Sequence, residues 1–377
     1  MTPVQVTQAK PQEYQQIQRF LEDAYGHSRN FFPLFYPQVW REENTDYAHT
    51  LLVREDNQIV SLVRIFPMKL VLAEVLLPVA GIGGVSTLPR ARGRGYMSSL
   101  MNEAIKVMDR ENFPLSVLWG DRHRYRHFGY ENGGQLLEVQ IGPRGLQQTA
   151  GPQLPVHRYQ GEPYLLERMF KLYQKNPFRK ERSLKEMQHL LERTGLNTYY
   201  VEDGQELTYA CFAGERGGQD VVEYGGKPLP LLTIFQHHHA RFGYSSFVLR
   251  YPGPEFVPRE ILEAASSWWF KAAGMLKVVN LRKMLEAYRP ALEKVFPRDS
   301  RLVLKRETEP AVALGWQAGK LVISSAPASE AITFTDPELV RFLFGPGRWP
   351  PFKEVTADSR AGQIEPLPFF IWPLDHI

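Results

Sequence analysis

A short basic and glycine-rich stretch, VSTLPRARGRGYMSSLM, runs from Val85 to Met101. Gly93 and Gly95 let backbone N–H groups turn towards one point. The residues after them fit the start of a helix, whose N-terminus carries partial positive charge and unpaired donors. Full positive charges lie beside it on Arg90, Arg92 and Arg94. Residues of these types in this order favour the binding of a phosphate or pyrophosphate.

The elements that must position this turn are indicated by the first 145 residues, which alternate between strand and helix patterns. Val79–Thr87 and Pro114–Trp119 fit strands, and the stretch from Arg94 to Arg110 has apolar residues at helical spacing. A predicted helix at Gln12–Tyr25 precedes an aromatic segment, FFPLFYPQVW. One α/β domain accounts for this part of the chain, including a last strand at Gln135–Ile141.

The rest of the chain predicts two further domains. Residues 142–155, rich in Gly, Pro and Gln, are interpreted as a linker. They lead into a second α/β unit that has no counterpart of the basic turn. From residue 274 onwards short strands precede a helix that Asp336 is expected to cap. The final segment, IEPLPFFIWPLDHI, is apolar, so we expect it to be buried together with the carboxylate of Ile377.

The composition is that of a globular protein with substantial cores. The 377 residues exceed what one core usually supports, and 43% of them are hydrophobic. A net charge of +4 gives no general argument for nucleic acid. The N-terminus lacks the apolar core of a signal peptide, and no apolar run approaches the roughly 20 residues that span a bilayer. We therefore expect a soluble, cytoplasmic protein with neither a nucleic-acid nor a membrane partner.

The single cysteine and a run of three histidines could suggest a nucleophile and a metal site, but the sequence supports neither. Cys211 is the single cysteine, which excludes internal disulfides and cysteine-rich metal sites. It lies far in sequence from the basic turn, and nothing marks it as a nucleophile. His237, His238 and His239 are consecutive, so on a helix they fan out by roughly 100° each and cannot converge on one ion. We therefore expect no metal.

The basic turn, preceded by Val85 and Pro89, resembles the acetyl-CoA signature of the GNAT N-acetyltransferases. That signature has Arg or Gln, two residues, Gly, one residue, and then Gly or Ala. A register from Arg92 to Met97 departs from it in the last place, whereas a register starting at Arg90 satisfies every position. The tandem arrangement and the apolar C-terminus also resemble the Eis-like (enhanced intracellular survival) acetyltransferases. These enzymes have two GNAT-type domains and a sterol-carrier-like third domain.

This resemblance implies an N-terminal GNAT domain over 1–145, a second GNAT-like domain without the CoA motif over 146–273, and a sterol-carrier-like domain over 274–377. It also implies a homo-oligomer, by family a hexamer. Acetyl-CoA would lie between the two strands Val79–Thr87 and Pro114–Trp119. The residues expected to contact it are Val85, Ser86, Thr87, Arg92, Gly93, Arg94, Gly95, Tyr96, Met97, Ser98, Gly120 and Asp121.

The resemblance also suggests how protons move. Tyr125 matches a family tyrosine that precedes an FGY sequence. A phenol with a pKa of about 10 is protonated at neutral pH, which suits donation to a departing CoA thiolate. The alternative is a core tyrosine with a satisfied hydroxyl. Tyr130 is interpreted as packing, and His123 and His127 remain possible proton acceptors.

The acceptor amine must lose a proton, and in Eis-like enzymes the chain's own terminal carboxylate takes it, here that of Ile377. Its pKa of about 3.5 makes it a poor base in water, so burial or a relay water would have to help. The alternative is a terminal segment that only docks. Phe32, Tyr36 and Trp40 are expected either to wall the acceptor pocket or to belong to the core.

The resemblance therefore implies an acetyl-CoA-dependent N-acetyltransferase. It would act by direct attack of a primary amine of the aminoglycoside, polyamine or lysine type. The competing hypothesis is a non-catalytic acyl-CoA-binding or regulatory protein that retains the cleft. A third possibility is lipid carriage by the last domain.

Overall fold

A computed structural model of the chain describes residues 4–149, 151–214, 220–345 and 366–376. Its strands are β1 (Thr7–Gln8), β2 (Thr50–Glu55), β3 (Gln58–Leu72), β4 (Val75–Thr87), β5 (Leu115–Leu118), β6 (Glu131–Gly133), β7 (Leu136–Ile141), β8 (His157–Arg158), β9 (Phe178–Lys180), β10 (Leu196–Asp203), β11 (Glu206–Ala213), β12 (Asp220–Gly225), β13 (Phe247–Tyr251), β14 (Ala265–Lys271), β15 (Gly274–Val278), β16 (Arg301–Arg306), β17 (Val312–Gln317), β18 (Lys320–Ser325) and β19 (Ile332–Phe334).

The helices surround the sheets that these strands form. They are α1 (Tyr14–Tyr25), α2 (Phe31–Phe35), α3 (Pro37–Trp40), α4 (Tyr96–Arg110), α5 (Arg122–Tyr125), α6 (Pro143–Gln148), α7 (Pro163–Gln174), α8 (Leu184–Leu191), α9 (Pro228–Phe242), α10 (Arg259–Ala264), α11 (Leu281–Ala287), α12 (Arg289–Val295) and α13 (Asp336–Phe344). In the part of the chain that the structure describes, no helix is long and apolar enough to cross a bilayer.

Three sheets carry the fold. The first has eight strands in the order β1-β2-β3-β4-β5-β15-β6, with β9 beside β3. The second has seven, in the order β14-β7-β13-β12-β11-β10-β8, and the third has four, in the order β18-β17-β16-β19. The predicted mixed α/β class is therefore confirmed.

The first two sheets exchange one strand each. β7 follows β6 by two residues along the chain but pairs with β13 and β14 in the second sheet. Conversely, β15 follows β14 and pairs with β5 and β6 in the first sheet. The two segments cross at Gly134, where a Cβ atom would lie 2.8 Å from the Cβ of Ala273.

This exchange changes where two predicted strands belong. The strand predicted at Gln135–Ile141 as part of the first domain lies in the second sheet. The strand predicted at the start of the third domain lies in the first sheet, between β5 and β6. Boundaries at 145 and 274 therefore do not separate the sheets, because strand pairing between distant segments leaves no mark in a local pattern.

Two local predictions are wrong for identifiable reasons. The predicted linker contains α6, and Gly145 in it is needed because a Cβ there would overlap the carbonyl oxygen of Ala264 on α10. The last helix is capped by Thr335, whose side chain and that of Glu338 form a capping box. Asp336 instead forms an ion pair with the buried Lys277.

A histidine between two carboxylates makes part of the stability depend on pH. The His49 ring is 2.6 Å from Asp46 Oδ2 through Nδ1 and 2.8 Å from Glu111 Oε2 through Nε2. Hydrogen bonding to Asp46, opposed by burial and reinforced by Glu111, raises the pKa of His49 from 6.5 to about 9.

Because the folded state holds this proton more tightly, its contribution to stability is present below pH 6.5 and is lost as pH rises through about 9. Replacing His49 with glutamine should therefore destabilise the protein more at the lower pH than at the higher one. Urea unfolding of both proteins on either side of this window measures the difference. The effect should be modest, because both carboxylates are more than one-third exposed. An equal loss of free energy at both pH values would contradict the assignment.

Candidate active site

The candidate site lies where β4 and β5 separate. These parallel strands pair only where Val79–Gly81 lies opposite Leu115–Val117. Beyond this point β4 continues to Thr87 paired with β3 but not with β5. A cavity of about 610 Å³ opens beside this free end. Nine of the twelve residues predicted to bind the cofactor line it: Val85, Ser86, Thr87, Arg92, Gly93, Gly95, Tyr96, Met97 and Ser98.

A β-bulge shapes the wall of this cavity. Leu62 of β3 lies opposite Ser86 and Arg64 lies opposite Gly83, so two residues of β4 oppose one of β3. Gly84 in the bulge has a φ of +62°, and a Cβ there would lie 3.3 Å from the Trp40 ring. Bulges turn backbone groups out of the ladder. The carbonyl of Val85 is accordingly available to accept a hydrogen bond from the Tyr25 hydroxyl at 3.1 Å.

The glycine turn has the backbone expected of an anion site. Gly93 and Gly95 have φ values of +77° and +78°, and they are the two positions that the register starting at Arg90 assigns to glycine. α4 begins directly after Gly95, and no side chain among the described residues caps it. Its first N–H groups therefore face the cavity as donors for a negatively charged group.

The arginines of the turn separate into different roles. Arg92 lines the cavity, with its Nε donating to the Thr87 carbonyl at 3.3 Å. Arg94 instead pairs with Glu55 at 2.6 Å, and Arg90 donates to Gln58 Oε1 at 2.9 Å. The structure thus does not bring Arg94, which was predicted to contact the cofactor, into the cavity. Arg124 lines it instead. Arg124 was not among the predicted site residues, although the basic composition of residues 120–130 is a signal that could have indicated it.

Tyr125 lies at the end of α5 and is not among the residues that line the cavity. Asp121 caps this helix by accepting from the Arg124 N–H at 2.9 Å. The Tyr125 ring packs against Gly120, where a Cβ would overlap it. Burial raises the pKa of Tyr125 and Arg124 opposes this in part, so the phenol holds its proton at neutral pH. Gly120 and Asp121 therefore orient Tyr125 and do not line the cavity.

The other proton carriers near Tyr125 differ in environment. Tyr130 is fully buried and its hydroxyl is 2.7 Å from Ser116 Oγ, which donates to the Ala80 carbonyl at 2.7 Å. This chain of bonds ties β5 to β4 at the point where they diverge, in agreement with a packing role. His123 and His127 are exposed.

The aromatic segment divides between core and surface. Phe32 and Trp40 are buried, and Trp40 packs between the bulge and the guanidinium of Arg64, which lies 4.5 Å from its ring centroid. Tyr36 is partly exposed, with the Arg193 guanidinium 4.8 Å from its ring. Phe32 and Trp40 therefore belong to the core, and of the three predicted acceptor residues only Tyr36 keeps partial exposure.

The last described residues approach the same region. The segment at 366–376 is largely buried, as predicted, and His376 stacks on Trp119 with ring centroids 3.9 Å apart. Trp119 directly follows β5. Burial lowers the pKa of His376 to about 4, so its ring is neutral near pH 7. Ile377, whose carboxylate was predicted as the base, lies outside the described residues.

The remaining candidates lie away from this site. The Cys211 thiol is fully buried in the second sheet, and burial raises its pKa. Of the three consecutive histidines, His238 stacks on Phe212 and His239 Nδ1 faces the Tyr244 carbonyl at 2.5 Å, so they diverge as predicted. No group of side chains within the described ranges could hold a metal ion.

Comparison with known proteins identifies the domain that carries the cavity. Residues 5–133 match the family of acetyltransferase (GNAT) domains. No curated protein sequence matches the chain.

Solved structures resemble the chain over its full length. A probable N-acyltransferase from Enterococcus faecalis V583 has 18% identity and a TM-score of 0.73, with 100% of both chains covered. A GCN5-related N-acetyltransferase from Anabaena variabilis has 18% identity and a TM-score of 0.70, and Eis1 from Mycobacterium abscessus has 11% and 0.69, each with 100% of both chains covered. At these identities the likeness shows a shared fold. The domain match supplies the enzyme class: residues 5–133 form a GNAT acetyltransferase domain, and the protein that contains them is an acetyltransferase.

Proposed function

We propose that the protein transfers the acetyl group of acetyl-CoA to a primary amine. The observation that carries this proposal is the cavity beside the end of β4, where a bulge, a positive-φ glycine turn and an uncapped helix N-terminus meet. Backbone N–H groups of residues 93–98 would hold the pyrophosphate, and Arg92 and Arg124 would balance its charge. The free edge of β4 near Val85 would bind the pantetheine arm.

In this proposal the amine attacks the thioester carbonyl directly. The carbon–nitrogen bond forms, the carbon–sulfur bond breaks, and the CoA thiolate receives the proton of Tyr125. The amine loses its own proton to the carboxylate of Ile377. The approach of the tail to Trp119 supports this choice of base. The burial of Cys211 supports transfer without an acyl-enzyme.

The finer assignment is to the Eis-like acetyltransferases. The full-length likeness to Eis1 and the three-sheet architecture support it. It includes the three domains, a sterol-carrier-like fold for the last one, a hexameric assembly and a cytoplasmic location. The acceptor would be an aminoglycoside, a polyamine or a lysine side chain.

Release of free CoA tests the proposal. The protein is incubated with acetyl-CoA and a panel of polyamines, aminoglycosides and lysine-containing peptides, and thiol appearance is followed. We expect turnover with at least one amine. Acetyl-CoA binding without turnover on any amine would favour a non-catalytic acyl-CoA-binding protein instead.

Gly95→Val should weaken acetyl-CoA binding by about tenfold or more, because a β-branched residue disfavours positive φ. When position 95 leaves the positive-φ region, the N–H groups of the turn rotate. At Gly95 a Cβ would meet no atom within 4 Å, so the change strains the backbone without a clash. Isothermal titration with acetyl-CoA measures the effect.

Gly204→Val is the matched control. Gly204 lies between β10 and β11, has a φ of +61° and also has open space around a Cβ. It should lose similar thermal stability but keep the parental affinity. If the Gly95 variant bound acetyl-CoA with the affinity of the unmodified protein, the glycine turn would not be the phosphate site.

A further inference from the structure

A fully buried ion cluster holds the end of the chain. The Arg182 side chain has no exposed surface and lies in the loop between β9 and α8. Its Nε donates to Asp375 Oδ1 at 2.8 Å and its Nη2 to Asp375 Oδ2 at 2.6 Å. The same Nη2 donates to Glu223 Oε2 on β12 at 2.7 Å. The contact with Asp375 is bidentate, the geometry that fixes orientation as well as distance.

The pKa values of the two carboxylates shift in opposite directions. Burial alone raises the pKa of Asp375, but attraction and hydrogen bonding to Arg182 outweigh it and the pKa falls below the ordinary value. Burial raises the pKa of Glu223, and Arg182 offsets only part of that rise. Asp375 is therefore the carboxylate that the arginine holds more firmly, through two hydrogen bonds, whereas Glu223 accepts one from it.

Such a pair is a poor choice for stability alone, because desolvation of two charges offsets much of their attraction. Apolar side chains of similar volume would pack as well. A bidentate pair nevertheless allows only one relative placement of the two segments that it joins. Arg182 and Asp375 are 193 residues apart, so the pair fixes the tail against the loop between β9 and α8.

The pair holds the end of the chain near the proposed acetyl-transfer site. His376, the next residue, stacks on Trp119 at the end of β5. On the other side of Asp375, the carbonyl of Leu374 accepts a hydrogen bond from Arg193 Nη1 at 3.2 Å. Arg193 also donates to the Phe35 carbonyl at 2.7 Å and faces Tyr36. The tail, the aromatic segment and the end of β5 are thus held in one arrangement.

We propose that Arg182 is a positioning residue for acetyl transfer, because its bidentate hold on Asp375 places the end of the chain beside the cleft between β4 and β5. This inference rests on the proposed function. It predicts that loosening the pair slows the chemical step without weakening the binding of acetyl-CoA, because no tail residue lines the cavity at the glycine turn.

Asp375→Asn tests the positioning role, because the substitution keeps the shape of the side chain and removes its charge. We expect kcat to fall by about 10- to 100-fold, since small misplacements of reacting groups have effects of this size, and the dissociation constant of acetyl-CoA to stay parental. Hydrogen exchange of the tail peptide, followed by mass spectrometry, should become faster. Arg182→Lys keeps the charge but cannot form the fork, so it should fold and show an intermediate loss of kcat.

Glu223→Gln is the matched control, because Glu223 shares the burial and the arginine but, among the described residues, forms no hydrogen bond with the tail. It should lose thermal stability to a similar degree and keep kcat within about twofold, with slow tail exchange. Parental kcat in Asp375→Asn, or equal losses of kcat in the Asp375 and Glu223 variants, would overturn the positioning role alone. Absence of turnover in the unmodified protein with every amine would overturn the proposed function, and this role with it.

Discussion

Replacing Tyr125 with phenylalanine should lower kcat by about 100-fold or more while the protein stays folded. The change removes only the hydroxyl, and the ring keeps its contact with Gly120. A CoA thiolate would then leave without the proton of a neighbouring acid. Because burial keeps the pKa of this phenol above its ordinary value, the acid form should persist throughout the neutral range. Steady-state and single-turnover rates, measured with the best amine of the panel, give the size of the effect.

Tyr130→Phe is the control that separates chemistry from packing. Tyr130 lies in the same core cluster, and its hydroxyl bonds to Ser116 instead of facing the cleft. Loss of that buried hydrogen bond should lower the free energy of unfolding by about 1 kcal/mol, with kcat nearly unchanged. A Tyr125 variant with parental turnover would shift the role of acid to the exposed His127 or His123, and single substitutions there would follow.

The backbone of the glycine turn, the proposed phosphate end of the site, could be predicted because its information is local. Two glycines, flanking arginines and a helical pattern lie within 17 residues from Val85 to Met101, and backbone geometry follows from such spacing. The structure bears this out in the positive φ of Gly93 and Gly95. Which arginine reaches the cavity could not be predicted, because the choice depends on Glu55, which holds Arg94 from another strand.

The parts of the fold that escaped prediction involve pairing at long range. In sequence, β7 and β15 look like two ordinary strands. Their exchange between the sheets is visible only from the strands with which they pair. Gly134, which permits the crossing, looks in sequence like any turn glycine. The burial of the tail could be predicted from its apolar residues. Its anchor could not, since Arg182 is one of several basic residues between 179 and 185 and carries no sign of a partner at Asp375.

The second large effect that we expect is a loss of turnover when the end of the chain is altered. Appending a short polar tag after Ile377 should lower kcat by about 100-fold or more, because a displaced carboxylate can no longer take the proton of the amine. Deleting Leu374–Ile377 should have at least as large an effect. That deletion also removes the buried side chains of Leu374 and Asp375, so it confounds chemistry with packing. The tagged protein, in which every native residue remains, is the sharper test.

The same tag at the N-terminus is the control and should leave turnover unchanged. Both tagged proteins should bind acetyl-CoA with parental affinity, because the cavity at the glycine turn is lined by residues 24–124. Titration with acetyl-CoA alongside the rate measurement separates the two steps. Full turnover in the C-terminally tagged protein would show that the carboxylate of Ile377 is not the base. The neutral imidazole of His376, stacked on Trp119, would then be the next base to test, and His376→Gln would decide its role.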